Sequence, residues 1–253
     1  MGFKYSVLMF GVLFIMGCAS KVTLAVTEVY PVQWLPGFAM AGLLLKENPP
    51  VRNQQDIRAL LDKPWYMPFE LINLQTKALF SADRCNQVLP TITQLETEKP
   101  YEFPPFIYLT AMCAAAESIS KARLAQYSFL SRFKLDAGFP LHAPKNLALV
   151  ISVSEWKRIS QNTKIVSWAD VETVKFVSKE GEYQAKYELV GAYQNVSLIA
   201  RGDFNRDNIE DILLYAKGKV VGGSYVAYRL FWVTKTDENS PLTLIREYPV
   251  FSD

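Results

Sequence analysis

Residues 196–215 read VSLIARGDFNRDNIEDILLY, and this stretch is the most informative in the chain. An apolar run at 196–200 and another at 212–215 flank a loop rich in acidic side chains. Short runs of β-branched, leucine and aromatic residues on both sides of a polar turn are typical of two buried strands. The stretch therefore predicts a strand, an acidic loop and a second strand.

The region from about residue 165 to the C-terminus repeats this pattern. The apolar, β-branched and aromatic runs lie at 174–177, 183–189, 196–200, 211–216, 225–234 and 242–248. Turn-forming residues separate the runs, among them Gly181, Gly191 and the pair Gly222-Gly223. Six successive strands with short connections predict an antiparallel meander, a sandwich or a small open barrel.

The chain before residue 165 favours helices. The ranges with helical spacing or composition are 53–62, 68–80, 85–95, 106–133 and 146–160. Asn53 is suited to cap the first helix, and Pro68 to begin the second. The predicted fold class is therefore α+β, with a helical N-terminal part followed by an antiparallel β meander or sandwich-like C-terminal domain. The predicted divisions are a signal peptide (1–17), a lead segment (18–52), a helical domain (53–162) and a β domain (163–253).

The acidic loop has the composition of a calcium site. Calcium takes six to eight oxygen ligands, and a tight loop turns alternate side chains and one backbone carbonyl toward the ion. The predicted ligands are Asp203, Asn205, Asp207, the carbonyl of Ile209, and Asp211. The alternative is a solvated acidic turn that holds no metal. An EF-hand is excluded, because the twelfth position is Leu214 where a bidentate glutamate is required.

Residues 202–212 resemble the calcium-binding repeat of the FG-GAP or VCBS type. That repeat carries an Asp-x-Asn/Asp-x-Asp-Gly-x-x-Asp-Leu core, which this chain matches at all four side-chain ligands. It departs from the core at Arg206 and Asn208, where glycines are usual. The resemblance implies a structural Ca²⁺ ion that fixes the turn between two strands. Since a propeller needs several blades and the chain has one such copy, no full propeller is expected.

The N-terminus predicts export and a lipid anchor. Lys4 precedes an apolar run from Val7 to Met16, which is too short to span a bilayer and has the length of a signal peptide. The run ends in Ile15-Met16-Gly17-Cys18, which resembles the bacterial lipobox. That resemblance implies cleavage before Cys18, acylation of Cys18, and, with Ala19 next, sorting to the outer membrane. An ordinary secretory signal and an uncleaved anchor remain open as alternatives.

Export also bears on the two remaining cysteines, Cys85 and Cys113. In an oxidising compartment an even pair usually forms a disulfide. Cys85 and Cys113 are 28 residues apart, and a disulfide that closes this loop would raise the free energy of unfolding by roughly 3–4 kcal/mol in the chain-entropy model. Two buried free thiols are the alternative.

Composition and motifs argue against several functional classes. The net charge of +2 falls to +1 once Lys4 is removed, so nothing favours nucleic acid as a partner. The single histidine, His142, lies in a proline-flanked loop, and no nucleophile motif accompanies it. We therefore predict a non-enzymatic envelope lipoprotein with a binding or assembly role and a protein partner. The alternatives are an envelope hydrolase that cleaves glycan or peptidoglycan through carboxylates, and a periplasmic inhibitor or immunity protein.

Overall fold

The computed structural model describes residues 29–45 and 50–249. The strands are β1 (Gln33–Trp34), β2 (Phe69–Asn73), β3 (Leu79–Ala82), β4 (Leu95–Thr97), β5 (Lys175–Lys179), β6 (Gln184–Leu189), β7 (Ala192–Gly202), β8 (Asp211–Val220), β9 (Val226–Thr234) and β10 (Thr243–Tyr248). The helices are α1 (Gln54–Leu60), α2 (Cys85–Val88), α3 (Phe103–Lys121), α4 (Phe139–His142), α5 (Val153–Gln161) and α6 (Trp168–Val171). Short 3₁₀ helices lie at Met40–Leu43, Leu89–Gln94, Pro100–Glu102 and Lys145–Leu147. The molecule is therefore a mixed α+β structure.

The larger sheet is an antiparallel meander, which confirms the six predicted strands. Its strands lie side by side in the order β10-β9-β8-β7-β6-β5, and the short strand β1 also pairs with β7. Glycines with positive φ stand in the β5–β6, β6–β7 and β8–β9 turns, at Gly181, Gly191 and Gly222. A left-handed backbone conformation costs glycine little, so these residues allow the tight reversals that separate the strands.

The predicted helix at 68–80 is wrong, because this segment forms the hairpin β2–β3. Strand β4 pairs with the other edge of β2, giving a separate three-stranded antiparallel sheet in the order β3-β2-β4. Phe69 and Leu71 are fully buried and Glu70 between them is not, so the apolar period is two rather than 3.6. The side chain of Asn73 accepts the N–H groups of Gln75 and Thr76 and shapes the turn.

The predicted helix at 106–133 is real but ends at Lys121, twelve residues earlier than expected. Gln54 of α1 donates its side-chain amide to the carbonyls of Ile119 and Ala122, at 2.6 and 2.9 Å, which satisfies two carbonyls at the helix end. The chain beyond Ala122 is extended and pairs with other segments, so tertiary hydrogen bonds override its helix-favouring composition.

The other predicted helices are shorter than expected, apart from the first. Helix α1 begins after Asn53, whose side chain accepts the N–H of Asp56 as predicted. The range 85–95 starts as α2 but continues as a 3₁₀ helix with Pro90 near its start, because proline cannot donate a helical hydrogen bond. The range 146–160 contains α5, which begins only after the cap residue Ser152.

The meander is buried on both faces. Leu213 and Trp232 face one core with α3, whereas Ile212 and Leu214 face a second core with Trp168. A strand covered on both sides needs no polar alternation, which explains the uninterrupted apolar run after the acidic loop. Two side-chain hydrogen bonds join α3 to the sheet: Thr110 with Tyr248 at 2.7 Å, and the Trp232 indole to Ser118 at 3.0 Å.

Cys85 and Cys113 form the predicted disulfide. Both residues are fully buried, and the bond joins the start of α2 to the middle of α3. It therefore ties the layer that carries the small sheet to the helix that covers the meander.

The predicted signal peptide and the lipidation site Cys18 lie outside the described residues, so both stay predictions. The lead segment is described from residue 29 to 45, where Met40 is fully buried and Leu35 donates its N–H to the carbonyl of Ile199. Among the helices of the described ranges, none is both long and apolar enough to span a bilayer.

Candidate functional site

Asp203 organises the acidic loop between β7 and β8. One carboxylate oxygen accepts the N–H groups of Arg206 and Asp207 at 2.6 and 3.2 Å, and the other accepts that of Asn208 at 3.1 Å. Only 1 % of the residue is exposed. A buried carboxylate that accepts three backbone N–H groups fixes the path of the loop around it.

Arg206 and Asn208, the two departures from the repeat pattern, both adopt positive φ angles of 71° and 68°. These are left-handed conformations, which glycine adopts at little cost and asparagine tolerates better than most residues. The backbone is therefore left-handed at the two positions where the FG-GAP or VCBS repeat usually carries glycine.

The more exposed predicted ligands, Asn205 and Asp207, bond to each other and to the loop backbone. The Asn205 amide donates to Asp207 at 2.9 Å, and the Asp207 carboxylate accepts the N–H of Ile209 at 2.8 Å. Ile209 also lies beside Tyr127 in a single parallel bridge.

Asp211, the last predicted ligand, carries an unsatisfied oxygen. The residue is fully buried; Oδ2 accepts the N–H of Phe204 at 2.9 Å, while Oδ1 has no hydrogen-bond partner among the described residues. Burial raises the pKa of this carboxyl to about 6, and the nearby Thr234 hydroxyl opposes the rise without forming a well-aligned hydrogen bond. The Thr234 hydroxyl and the backbone N–H groups of Phe204 and Asn205 lower the pKa of Asp211, but they do not offset the effect of burial.

The side chains of the loop carry the oxygen ligands that a hard cation prefers, but they are not arranged as a ready site. All four side-chain donors are oxygens, and Asp211 Oδ1 is an unused one. Within residues 29–45 and 50–249, however, no three acidic, histidine or cysteine side chains converge as a ready metal site. Occupation by Ca²⁺ stays a prediction.

The loop also holds the segment that follows α3. Arg123 exchanges two backbone hydrogen bonds with Asp203, at 3.0 and 2.9 Å, and the N–H groups of Gln126 and Tyr127 both donate to the carbonyl of Asn208. Glu210 donates its N–H to the carbonyl of Tyr127 at 2.8 Å. We refer to residues 123–128 as the clasp.

A side-chain network reinforces the clasp. The Glu210 carboxylate, 7 % exposed, accepts the hydroxyl of Ser128 at 2.6 Å and the guanidinium of Arg201 at 3.3 Å. Unlike Asp211, this buried acid is paired and hydrogen-bonded, so its charge is compensated. The network joins Glu210, at the end of the loop just before β8, and Arg201 of β7 to Ser128, the last residue of the clasp.

A cleft of about 500 Å³ lies directly beyond the clasp. Residues 129–142 form one wall and residues 235–242 the other. The rings of Phe133 and Phe139 meet edge to face at 5.8 Å in its lining, and Phe139 is almost completely buried. The cleft therefore has an aromatic inner surface and an open polar rim.

Cationic side chains predominate at the rim. Arg132, Lys134 and Lys235 line the cleft together with Asp136 and Glu238. A neighbouring cavity of about 320 Å³ shares Phe133 and Lys134 with it, and adds Lys179, Arg201 and Glu182. Nothing in the sequence pattern indicated this region, because its two walls are about one hundred residues apart in the chain.

His142 lines the cleft, and among the described residues no hydrogen bond joins its side chain to a nucleophile or a carboxylate. Its described hydrogen bond is through the backbone carbonyl, which accepts the N–H of Leu242 at 3.1 Å. Asp136 uses its carboxylate to accept the N–H of Gly138 at 2.9 Å, which closes a turn. These contacts position the walls of the cleft.

No protein-family model, no curated protein and no solved structure matches this chain. The resemblance of the acidic loop to the FG-GAP or VCBS repeat therefore stays a prediction drawn from its own residues.

Proposed function

We propose that the protein is a non-enzymatic lipoprotein of the cell envelope that binds a partner through the cleft beside the clasp. Cys18 anchors it to the outer membrane, on the periplasmic side, and the partner is a protein. The observation that carries the binding role is the cleft itself: an aromatic interior with a charged rim, bounded by two segments fixed to the meander. Concave sites with an apolar interior and a few polar groups are the usual form of a binding pocket.

In this proposal the acidic loop is a structural calcium site. Asp203, Asn205, Asp207, Asp211 and the carbonyl of Ile209 hold the ion, which compensates the buried charge of Asp211. The unsatisfied Oδ1 atom of Asp211 supports the assignment. The ion orders the loop and takes no part in chemistry.

The loop and the cleft form one functional unit through the clasp. A filled loop fixes the carbonyl of Asn208, to which Gln126 and Tyr127 donate, and Glu210 retains Ser128. The cleft wall begins at the next residue, Phe129. Calcium bound to the loop therefore favours an ordered wall.

A site-specific crosslink tests the binding role. A photo-reactive amino acid replaces His142, which is exposed in the cleft, and in a matched protein it replaces Lys164, which is exposed but lines no described cavity. We expect irradiation of intact envelopes to give one discrete protein adduct from position 142 and none from position 164. Absence of an adduct at 142, or the same adducts from both positions, would contradict a partner in the cleft.

The hydrolase alternative predicts a different result for the cleft carboxylates. Purified protein incubated with peptidoglycan should release no soluble fragments, and Asp136→Asn and Glu238→Gln should change nothing. Release of fragments that either substitution abolishes would establish the hydrolase instead.

A further inference from the structure

We propose that the cleft takes an anionic ligand whose charged group is bound by Arg132, Lys134 and Lys235 and whose apolar part rests on the Phe133 ring. The inference rests on the proposed binding function and deepens it, because it names the chemistry that the ligand or the partner's inserted group must have. The charge, the volume and the aromatic lining of the cleft each support it.

The charge of the rim is unbalanced. The two adjoining cavities are lined by five cationic side chains and three carboxylates. Since Arg201 pairs with Glu210, which lies outside this lining, the excess is one positive charge. Among the described residues, no carboxylate lies within ion-pair distance of Arg132, Lys134 or Lys235. Lys235 instead donates to the backbone carbonyl of Glu238 at 2.7 Å.

Among the described residues, the carboxylates of the lining form no ion pair with these cations. Asp136 accepts the N–H of Gly138, and the exposed Glu238 and Glu182 form no ion pair among the described residues. Arg201, the fifth cation, already pairs with Glu210. The available positive charge is therefore concentrated at residues 132, 134 and 235, with Lys179 farther along.

The shape of the cleft sets the size and nature of the ligand. Arg132 and Lys134 flank Phe133 in sequence, so cationic groups and an aromatic ring occupy one short segment of wall. The Arg201 guanidinium lies 5.9 Å from the centre of the Phe133 ring on the side of the second cavity. A volume of about 500 Å³ accommodates an organic anion with one or two rings, or the acidic and aromatic side chains of a peptide.

Two fluorescent probes that differ mainly in charge test the inference. The anionic probe is 8-anilinonaphthalene-1-sulfonate, and the neutral one is N-phenyl-1-naphthylamine, which has the same ring system without the sulfonate. Both are titrated into the full chain carrying Cys18→Ser, so that no acyl chain contributes. We expect the double variant Arg132→Gln, Lys134→Gln to weaken the anionic probe at least tenfold, which corresponds to 1.4 kcal/mol, and to leave the neutral probe unchanged.

Two further variants complete the design. Lys235→Gln, on the opposite wall, should weaken the anionic probe by a smaller factor, and it replaces the double variant if that protein does not fold. Lys164→Gln removes one charge, as Lys235→Gln does, from a surface that lines no described cavity, and should leave both affinities unchanged. Thermal unfolding curves establish that the variants are folded.

Three results would overturn the inference: no binding of the anionic probe, an affinity that the cleft substitutions do not change, or an equal loss for both probes. None of these results affects the crosslink at position 142, which reports on the protein partner by itself. Conversely, loss of the crosslink with charge-selective probe binding would refute the proposed protein partner and leave the anion site in place.

Discussion

Replacing Glu247 with alanine is expected to lower the free energy of unfolding by about 3–5 kcal/mol, as measured by denaturant titration. Glu247 pairs with Arg229 at 2.5 Å, and the two side chains are 9 % and 4 % exposed. Arg229 also donates to the carbonyls of Asn146 and Ala148, at 2.7 and 2.9 Å. Burial lowers the pKa of Arg229 and Glu247 opposes this, so removing the acid leaves a buried charge without its compensating partner.

The matched control replaces both members of the pair with apolar residues of similar size, Arg229→Met together with Glu247→Leu. Because removing one member of a buried pair costs more than exchanging both for packed hydrophobic side chains, we expect the double variant to be more stable than the single one. A residual loss is expected, since the carbonyls of Asn146 and Ala148 lose the donor that Arg229 supplied. A single variant no less stable than wild type would show that the pair carries no such role. The pair also fixes residues 146–148 to the meander, downstream of the cleft wall.

Calcium is expected to stabilise the wild-type protein by about 4 kcal/mol when its concentration is a thousandfold above the dissociation constant. In chelator, the buried Asp211 carboxylate carries a cost, since its pKa rises from 3.8 to about 6. That shift corresponds to about 3 kcal/mol, present in full above pH 6 and absent below pH 3.8. Without calcium, this group alone therefore makes the protein more stable as the pH falls from 7.5 to 5.

Two isosteric variants separate the cost of burying the Asp211 charge from the stabilisation by calcium. Asp211→Asn should raise stability in chelator at pH 7.5, by up to about 3 kcal/mol, and should gain little from calcium. Asp207→Asn removes an exposed ligand, so it should leave stability in chelator nearly unchanged while abolishing most of the calcium effect. Identical wild-type melting curves in calcium and in chelator would refute a calcium site in this loop.

The meander could be predicted from the sequence because its signals are local. Each strand is a run of β-branched and aromatic residues that ends at a turn, and Gly181, Gly191 and Gly222 stand in three of these turns at positive φ. The disulfide followed from the count of cysteines and the predicted compartment. Both inferences required no knowledge of which distant segments meet.

The errors occurred where distant segments determine the local conformation. A helical period fits Phe69, Ile72, Leu79 and Phe80. These residues form the hairpin β2–β3 instead, because β4 pairs with the other edge of β2. Residues 122–133 have a helical composition, but they do not continue α3. The Gln54 side chain donates to a carbonyl at the end of α3, and the clasp forms backbone hydrogen bonds with the acidic loop. Hydrogen bonds with partners so far along the chain leave no periodic signal.

The candidate site likewise has one part that the sequence predicts and one part that it does not. The acidic loop was evident from the spacing of its oxygens, whereas the cleft forms only when residues 129–142 meet residues 235–242. The sequence also did not indicate that Glu210 pairs with Arg201 and Ser128, or that Asp211 has a buried oxygen without a hydrogen-bond partner among the described residues. These differences between neighbouring acids depend on burial and on tertiary contacts.

The most direct test of the account measures amide hydrogen exchange in the clasp with calcium and with chelator. The amides of Gln126 and Tyr127 both donate to the carbonyl of Asn208, so their exchange reports on the order of the loop. We expect calcium to slow exchange at residues 123–128 in the wild-type protein and to have no effect in Asp207→Asn. Equal exchange of the wild-type clasp in calcium and in chelator would contradict the claim that a cation in the loop holds the wall of the cleft.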